Sequence, residues 1–257
     1  MLSTSEGFVV PDSIRGGAEA HPPVRWSFDL GRGLVPWVGP SPPDVTTLRN
    51  TRAIVSRRGA GHVPTWAFST TVDGHVRLES GLEHDLLRVL DLDPTVTWLC
   101  PQPSRLRWRD PRGGRAREHT PDLLSVDRDG RVTLWNARPT GRQDDRFRSQ
   151  LAATDRACQE FGWKSEVFSG VGAVHRANLM WLDGYRQPRP WHDQAMKLLA
   201  YDDGLTTTLG AVIEADAGDG HLLSTVWHLV RAGSLTCDLE SPLTPATTLV
   251  RTGDLAA

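Results

Sequence analysis

The sequence predicts an α/β fold: a mixed sheet flanked by helices, followed by a smaller and mainly helical C-terminal unit. Three observations carry that prediction. An amphipathic helix and a succession of short apolar strand runs follow one another between Ser80 and Pro139. A second helix, periodic over residues 144–161, leads directly into a further strand run. Beyond a Pro- and Arg-rich linker at residues 187–191, apolar positions 222, 223, 226, 227, 229 and 230 fall on one face of another helix.

Taken in order, residues 1–44 carry Pro11, Pro22, Pro23, Pro36, Pro40, Pro42 and Pro43, which predicts an irregular arm packed onto the next domain by Trp26 and Trp37. Strand and turn segments are expected over residues 50–71, most strand-like at 67–71. Asp73-Gly74 is a hairpin turn signal leading into a strand at 75–78. Ser80 with Glu83 three residues on forms a capping box. Leu82, Leu86, Val89 and Leu90 recur at helical spacing behind it, and Asp93-Pro94 stops the run. Strands follow at 96–99, 104–108, 123–126 and, after the Asp129-Gly130 turn, 132–137. The second helix presents Phe147, Leu151, Thr154 and Cys158 on one face and ends at Gly162, ahead of a strand at 166–168. Helices are expected near 192–200, 206–215 and 221–232, with a hairpin from 234–239 and 248–251. Three short helices and a hairpin make a winged-helix-like unit. The expected division is an arm over 1–44, a main domain over 45–185 and a partner-binding domain over 190–257.

Hydrophobic content of 39% and charged content of 23% are those of a folded globular chain. No run approaches the ~18 apolar residues that span a bilayer, so no membrane partner is expected. The first 14 residues lack a basic head and apolar stretch, so no secretory signal is expected. Cys100, Cys158 and Cys237 are odd in number and far apart, which argues against a disulfide framework and fits a reducing, cytoplasmic setting. The net charge of −2 hides an asymmetry. Residues 105–148 carry 12 Arg against 7 acidic residues (+5), whereas residues 190–257 carry 3 basic against 9 acidic (−6). The first region suits a polyanion and the second does not.

The order of helix, strand, turn and strand is expected to bring four residues to one site. Glu83 lies on the first helix, Asp122 follows Thr120-Pro121 at a strand start, and Asn136 and Arg138, two apart, close the adjacent strand on one face. Two carboxylates and an amide oxygen are the donors that a hard divalent cation takes, and a neighbouring cation offsets charge on a phosphate. This is how restriction-endonuclease-like nucleases seat Mg²⁺ or Mn²⁺ over a scissile phosphate. Arg105, Arg107, Arg109, Arg112, Arg115 and Arg142, with Arg117, Arg146 and Arg148 nearby, are expected to contact a phosphate backbone, the plainer reading being a solvated Arg-rich hairpin loop. Each residue also has a plainer reading: a capping carboxylate for Glu83, a turn residue for Asp122, a satisfied amide for Asn136, a solvated charge for Arg138. Lys164, at a strand start, is an alternative position for a catalytic lysine. No G-x-S-x-G, H-E-x-x-H, P-loop or dinucleotide glycine motif occurs.

The ordered set Leu78-Glu79-Ser80-Gly81-Leu82-Glu83, Asp93-Pro94, Gln102-Pro103, Thr120-Pro121-Asp122, Asn136-Ala137-Arg138-Pro139 and Gly162-Trp163 resembles the TnsA-type transposon endonucleases over about residues 35–182. The resemblance implies a restriction-endonuclease-like fold and a metal-dependent DNA endonuclease subunit of a heteromeric transposase, cutting double-stranded DNA at transposon ends. It further implies Glu83, Asp122, Asn136 and Arg138 as the catalytic set, with the first three holding the metal. A DDE-type transposase and an ATPase regulator, engaged through the C-terminal domain, are the implied partners. In that family a Q/E/D-x-K pair stands where this chain has Asn136 and Arg138. Arginine keeps the charge but cannot serve as a base, and the set has two carboxylates, so a weaker hold on the metal is expected. The alternative is a weakly active or inactive DNA-binding assembly subunit that keeps the nuclease fold. A winged-helix regulator would need a basic recognition helix, and residues 221–232 contain only Arg231.

Overall fold

The computed structural model describes residues 23–51, 65–109, 115–199 and 206–252. It shows a mixed α/β protein. The central feature is a pair of long antiparallel strands bent at one corner. β5 (Val96–Pro101) continues as β6 (Ser104–Arg109), and β7 (Ala116–His119) continues as β8 (Leu123–Asp127). β6 pairs with β7, and β5 with β8. At the corner, Gln102 takes a left-handed φ of 47°, while its N–H still donates to the Asp122 carbonyl at 3.0 Å. The ladder therefore turns without breaking.

Each half of the bent ladder is widened into a four-stranded sheet. One has the order β2-β1-β6-β7, with β1 (Arg25–Asp29) and β2 (Leu34–Pro36). The other has the order β10-β9-β8-β5, with β9 (Val132–Ala137) antiparallel to β8 and parallel to β10 (Lys164–Phe168). The expected irregular arm thus holds two strands. Proline spacing hid them: Arg25–Asp29 contains no proline, and Trp26 and Phe28 alternate inward as on any half-buried strand. Trp26 lies within the core, stacked on Phe28 and Phe161, and is no peripheral anchor.

Helices cover opposite faces of the second sheet. α1 (Gly81–Leu92) packs Leu86, Leu87 and Leu90 on Leu99 and Leu123, with the hairpin of β3 (Thr65–Ser69) and β4 (Gly74–Leu78) beside it. Leu82 and Val89, expected inside, are half-buried; Leu87 takes the inner position. α2 (Asp145–Phe161) sets Ala153, Ala157 and Cys158 against Leu124 and Leu134, in the same cluster as Trp26, Leu106 and Trp108. Gly162 closes it at φ 68°, a left-handed cap that glycine adopts without strain. α3 (Ala173–Leu182), absent from the sequence expectation, packs against α1 and carries the chain to the C-terminal unit.

That unit contains α4 (His192–Leu199), β11 (Thr206–Thr208), α5 (Leu209–Ala215), α6 (His221–Arg231), β12 (Leu235–Thr236) and β13 (Thr248–Arg251), with sheet order β11-β13-β12. The helix expected from residue 206 begins at 209. Three consecutive threonines, β-branched and stiff at χ1, favour the extended backbone of β11. Thr208 then caps α5 by accepting from Ala211 N–H at 3.2 Å. Leu182, Leu209, Val226, Trp227 and Leu249 form the core here. Among the described residues no helix is long and apolar enough to cross a membrane.

Candidate active site

A cleft of about 520 Å³ opens where the bent ladder turns, and Glu83, Asp122 and Arg138 all line it. Three separated stretches supply them. Glu83 is fixed by the start of α1: Ser80 accepts from the Glu83 amide at 3.2 Å. In return, the Glu83 carboxylate accepts from the Ser80 hydroxyl and from the Glu79 N–H, both at 2.9 Å. The capping reading of Glu83 is therefore met, and the same side chain, only 4% exposed, lines the cleft.

Asp122 sits at the corner between β7 and β8. Its own N–H donates to the Trp135 carbonyl at 2.9 Å, and its Oδ2 accepts from the Ala137 N–H at 2.6 Å. The carboxylate is thus oriented by the backbone of the neighbouring strand's last residue. Arg138 follows immediately, beyond the end of β9. Its N–H donates to the Phe168 carbonyl at 2.9 Å and its Nε to the Arg142 carbonyl at 2.8 Å, with the guanidinium lying 5.7 Å from the centre of the Phe147 ring.

Asn136 does not join the wall of the cleft. Strand alternation places it with Val132 and Leu134 on the face that α2 covers, and it is 1% exposed. Its Oδ1 lies 2.6 Å from His119 Nε2, and among the described residues its buried Nδ2 has no hydrogen-bond partner. The expectation of an amide oxygen presented to a metal is corrected on this geometry: the amide supports His119, and it is His119 that lines the cleft. Burial lowers the His119 pKa below the ordinary imidazole value, against the opposing pull of the Asn136 bond, so the ring is neutral near pH 7. Its Nε2–H then donates to Asn136.

Sequence reasoning missed several lining groups: Glu79, Glu118, His119 and Gln150, while Arg105 and Arg146 also reach the cleft. Glu118 and His119 belong to β7, a four-residue strand with no apolar residue beyond Ala116 and hence no periodicity to detect. The only available signal was its place opposite the alternating Arg105, Arg107 and Arg109. Among the described residues the wall combines four carboxylates with three guanidiniums, a set suited to holding a cation and a phosphate side by side. Among the described residues no three His, Cys, Asp or Glu side chains converge tightly enough to hold a metal by themselves. Two carboxylates with solvent and a phosphate completing the shell nevertheless fit the chemistry of Mg²⁺ or Mn²⁺, which keep bound water readily. Thiolate chemistry is disfavoured, since burial pushes the Cys100 and Cys158 thiols up to about 12. Lys164 is exposed at the start of β10 and does not line the cleft.

The arginines sort by strand phase. Arg107 and Arg109 are exposed on the outward face of β6, Arg105 on the same face is half-buried, and Leu106 and Trp108 point into the core. Arg115 and Arg142 are exposed. Arg112 lies outside the described residues. The register adds an unexpected member: Arg25 of β1 stands directly opposite Arg107, and Ser27 opposite Arg105.

The class that the fold and cleft define is a mixed α/β protein with an acidic–basic cleft at a sheet corner. The chain matches no protein-family model, and no curated protein is significantly similar to it.

Proposed function

We propose that this protein is a metal-dependent DNA endonuclease with a restriction-endonuclease-like core, acting as the nuclease subunit of a heteromeric transposase at transposon ends. The observation that carries the reading is the meeting of Glu83, Asp122 and Arg138 in one cleft. Glu83 and Asp122 would hold the divalent ion. When bound, such an ion polarises a phosphoryl oxygen and lowers the pKa of a coordinated water. Arg138, held by Phe147 and the Arg142 carbonyl, neutralises charge developing on the phosphate, and Arg105 and Arg146 add to that field. Neutral His119 offers the cleft an imidazole able to accept a proton, a role that a permanently charged arginine cannot fill.

The C-terminal unit supports a winged-helix reading, since a strand between its first two helices pairs with the later hairpin in the order β11-β13-β12. Its net charge of −6 over residues 190–257 favours a protein partner over a duplex. On the TnsA resemblance, that partner is an ATPase regulator, with a DDE-type transposase cutting the other strand.

The test is plasmid nicking. Purified protein is expected to relax supercoiled DNA in Mn²⁺ or Mg²⁺, and Asp122→Ala to abolish relaxation; nicking that survives the substitution overturns the assignment. A second reading, an assembly subunit that binds DNA without cutting it, is favoured by one observation, the withdrawal of Asn136 from the cleft. Calorimetric Mn²⁺ titration separates the two. Binding lost in Asp122→Ala supports the nuclease, and no binding to the wild type supports the inert subunit.

A further inference from the structure

We propose that the outward face of the β2-β1-β6-β7 sheet is a clamp for the sugar–phosphate backbone of duplex DNA, built on Arg25, Arg107 and Arg109 around a second cavity. The proposal rests on the nuclease reading for the identity of its ligand, and on separate residues for its geometry. The cavity, of about 430 Å³, is lined by these three guanidiniums together with Pro23, Pro36 and Ala116, and among the described residues no carboxylate lines it.

The register makes the arrangement costly without an anion. Arg25 and Arg107 are direct cross-strand partners, and like charges so placed destabilise a sheet. Neutralisation from within the protein is slight. Glu118 reaches Arg107 only at 3.7 Å, with both side chains about half exposed or more, and such pairs contribute little. Among the described residues no acidic side chain forms an ion pair with Arg25 or Arg109. A polyanion supplies what the fold does not.

Geometry also favours a duplex over a single strand. Single-stranded binders stack bases on exposed aromatic rings, but Trp26 and Trp108, which reach this cavity, are 3% and 4% exposed and packed into the core. The face offers charge and no stacking platform. Arg105 lies two residues from Arg107 on the same strand face, a step of about 6.7 Å along an antiparallel strand, and it lines the cleft of Glu83 and Asp122. One strand face therefore leads from the clamp to the carboxylates, and a backbone held by Arg25 and Arg109 is directed into the cleft.

The experiment uses the full chain carrying Asp122→Ala, so that binding is read without cleavage, and follows a fluorescent duplex by anisotropy across a salt series. Adding Arg25→Gln and Arg109→Gln is expected to weaken duplex binding about tenfold or more, and to reduce the slope of log K against log salt by about 1.8, the loss of two phosphate contacts. Arg25→Lys with Arg109→Lys should retain most of the affinity, showing that charge and not folding is at issue. Arg131→Gln, at the β8–β9 turn where Asp127 and Asp129 pair with Arg131, should bind as the parent does. An unchanged slope in the Gln pair, tighter binding to single strands or RNA than to duplex, or no duplex binding by the parent overturns the clamp. If nicking fails in the wild type while the slope responds as stated, the nuclease reading falls and the clamp stands. If Asp122-dependent nicking occurs and the Gln pair binds normally, only the clamp falls.

Discussion

Glu83 shows how one side chain can close a helix cap and line a cleft at once. Its carboxylate closes the capping box of α1 through Ser80 and the Glu79 amide, and the same group faces the cleft. The two roles separate by substitution. Ser80→Ala removes the cap and is expected to cost about 1 kcal/mol, visible as a lower urea midpoint. Glu83→Gln keeps the amide oxygen as an acceptor for the cap but removes the charge that a cation needs. It should shift the midpoint little and reduce Mn²⁺-dependent nicking at least about a hundredfold, on the scale of losing a charge-stabilising group. A loss of stability without loss of nicking would make Glu83 a cap alone. At this scale the sequence was informative for Glu83 and Asp122, because cap and turn chemistry are local. It misplaced Asn136: the X-x-basic spacing fixes the side of the strand but not which helix covers that side.

Among the elements, α6 is the one whose attachment matters most for the whole. Arg231 in its last turn is 6% exposed and donates to the Asp91 carbonyl at 2.9 Å, to the Asp91 carboxylate at 3.0 Å and to the Thr70 hydroxyl at 3.2 Å. Burial alone would raise the Asp91 pKa. The hydroxyls of Ser69 and Thr71 and the amides of Thr70 and Thr71 outweigh it and hold the carboxyl below its ordinary value. The only arginine or lysine of α6 is therefore spent inside, tying the helix to α1 and to the turn after β3. Arg231→Leu leaves Asp91 buried with its cation gone and is expected to destabilise the fold by about 3–5 kcal/mol, measured by urea denaturation. A change under about 1 kcal/mol would show the pair to be dispensable. Arg88 makes a second tie, with Asp85 at 2.8 Å and Asp183 at 2.7 Å, while Arg176 of α3 reaches Asp85 at 2.7 Å. Elements with strong periodicity, α1, α2, α6 and β9, were legible in the sequence. β1, β7 and α3 were not. The first lies among prolines, the second is polar throughout most of its length, and the third owes its place to contacts with α1 and α6.

For the molecule as a whole, the titrating groups point in one direction. His84, His119 and His228 are each held below the ordinary imidazole value, with burial the leading cause. A histidine depressed in the fold takes up its proton in the unfolded chain first. Its stabilising contribution is complete above the unfolded value of 6.5 and is lost as pH falls through the lower folded values. Asp91, also depressed, contributes fully above its unfolded value of 3.8 and loses that contribution on further acidification. Stability is therefore expected to be level near neutrality and to decline in two stages. The first starts at about pH 6.5 and the second at about pH 4, read as urea midpoints across that range. A midpoint unchanged between about pH 7 and about pH 5 would contradict the buried, neutral histidines.

The sequence alone determined the α/β class, the principal helices with their caps and stops, most strands of the second sheet, and the presence of a basic segment ahead of an acidic C-terminus. These follow from interactions between residues close in the chain, which periodicity, turn chemistry and composition record. Only the tertiary structure decided that β5 and β6 form one bent strand, that Arg25 stands against Arg107, that Asn136 turns inward to His119, and that Arg231 is buried on Asp91. Each of these depends on which distant segment lies alongside. That is fixed by the packing of the finished core, and no local pattern encodes it.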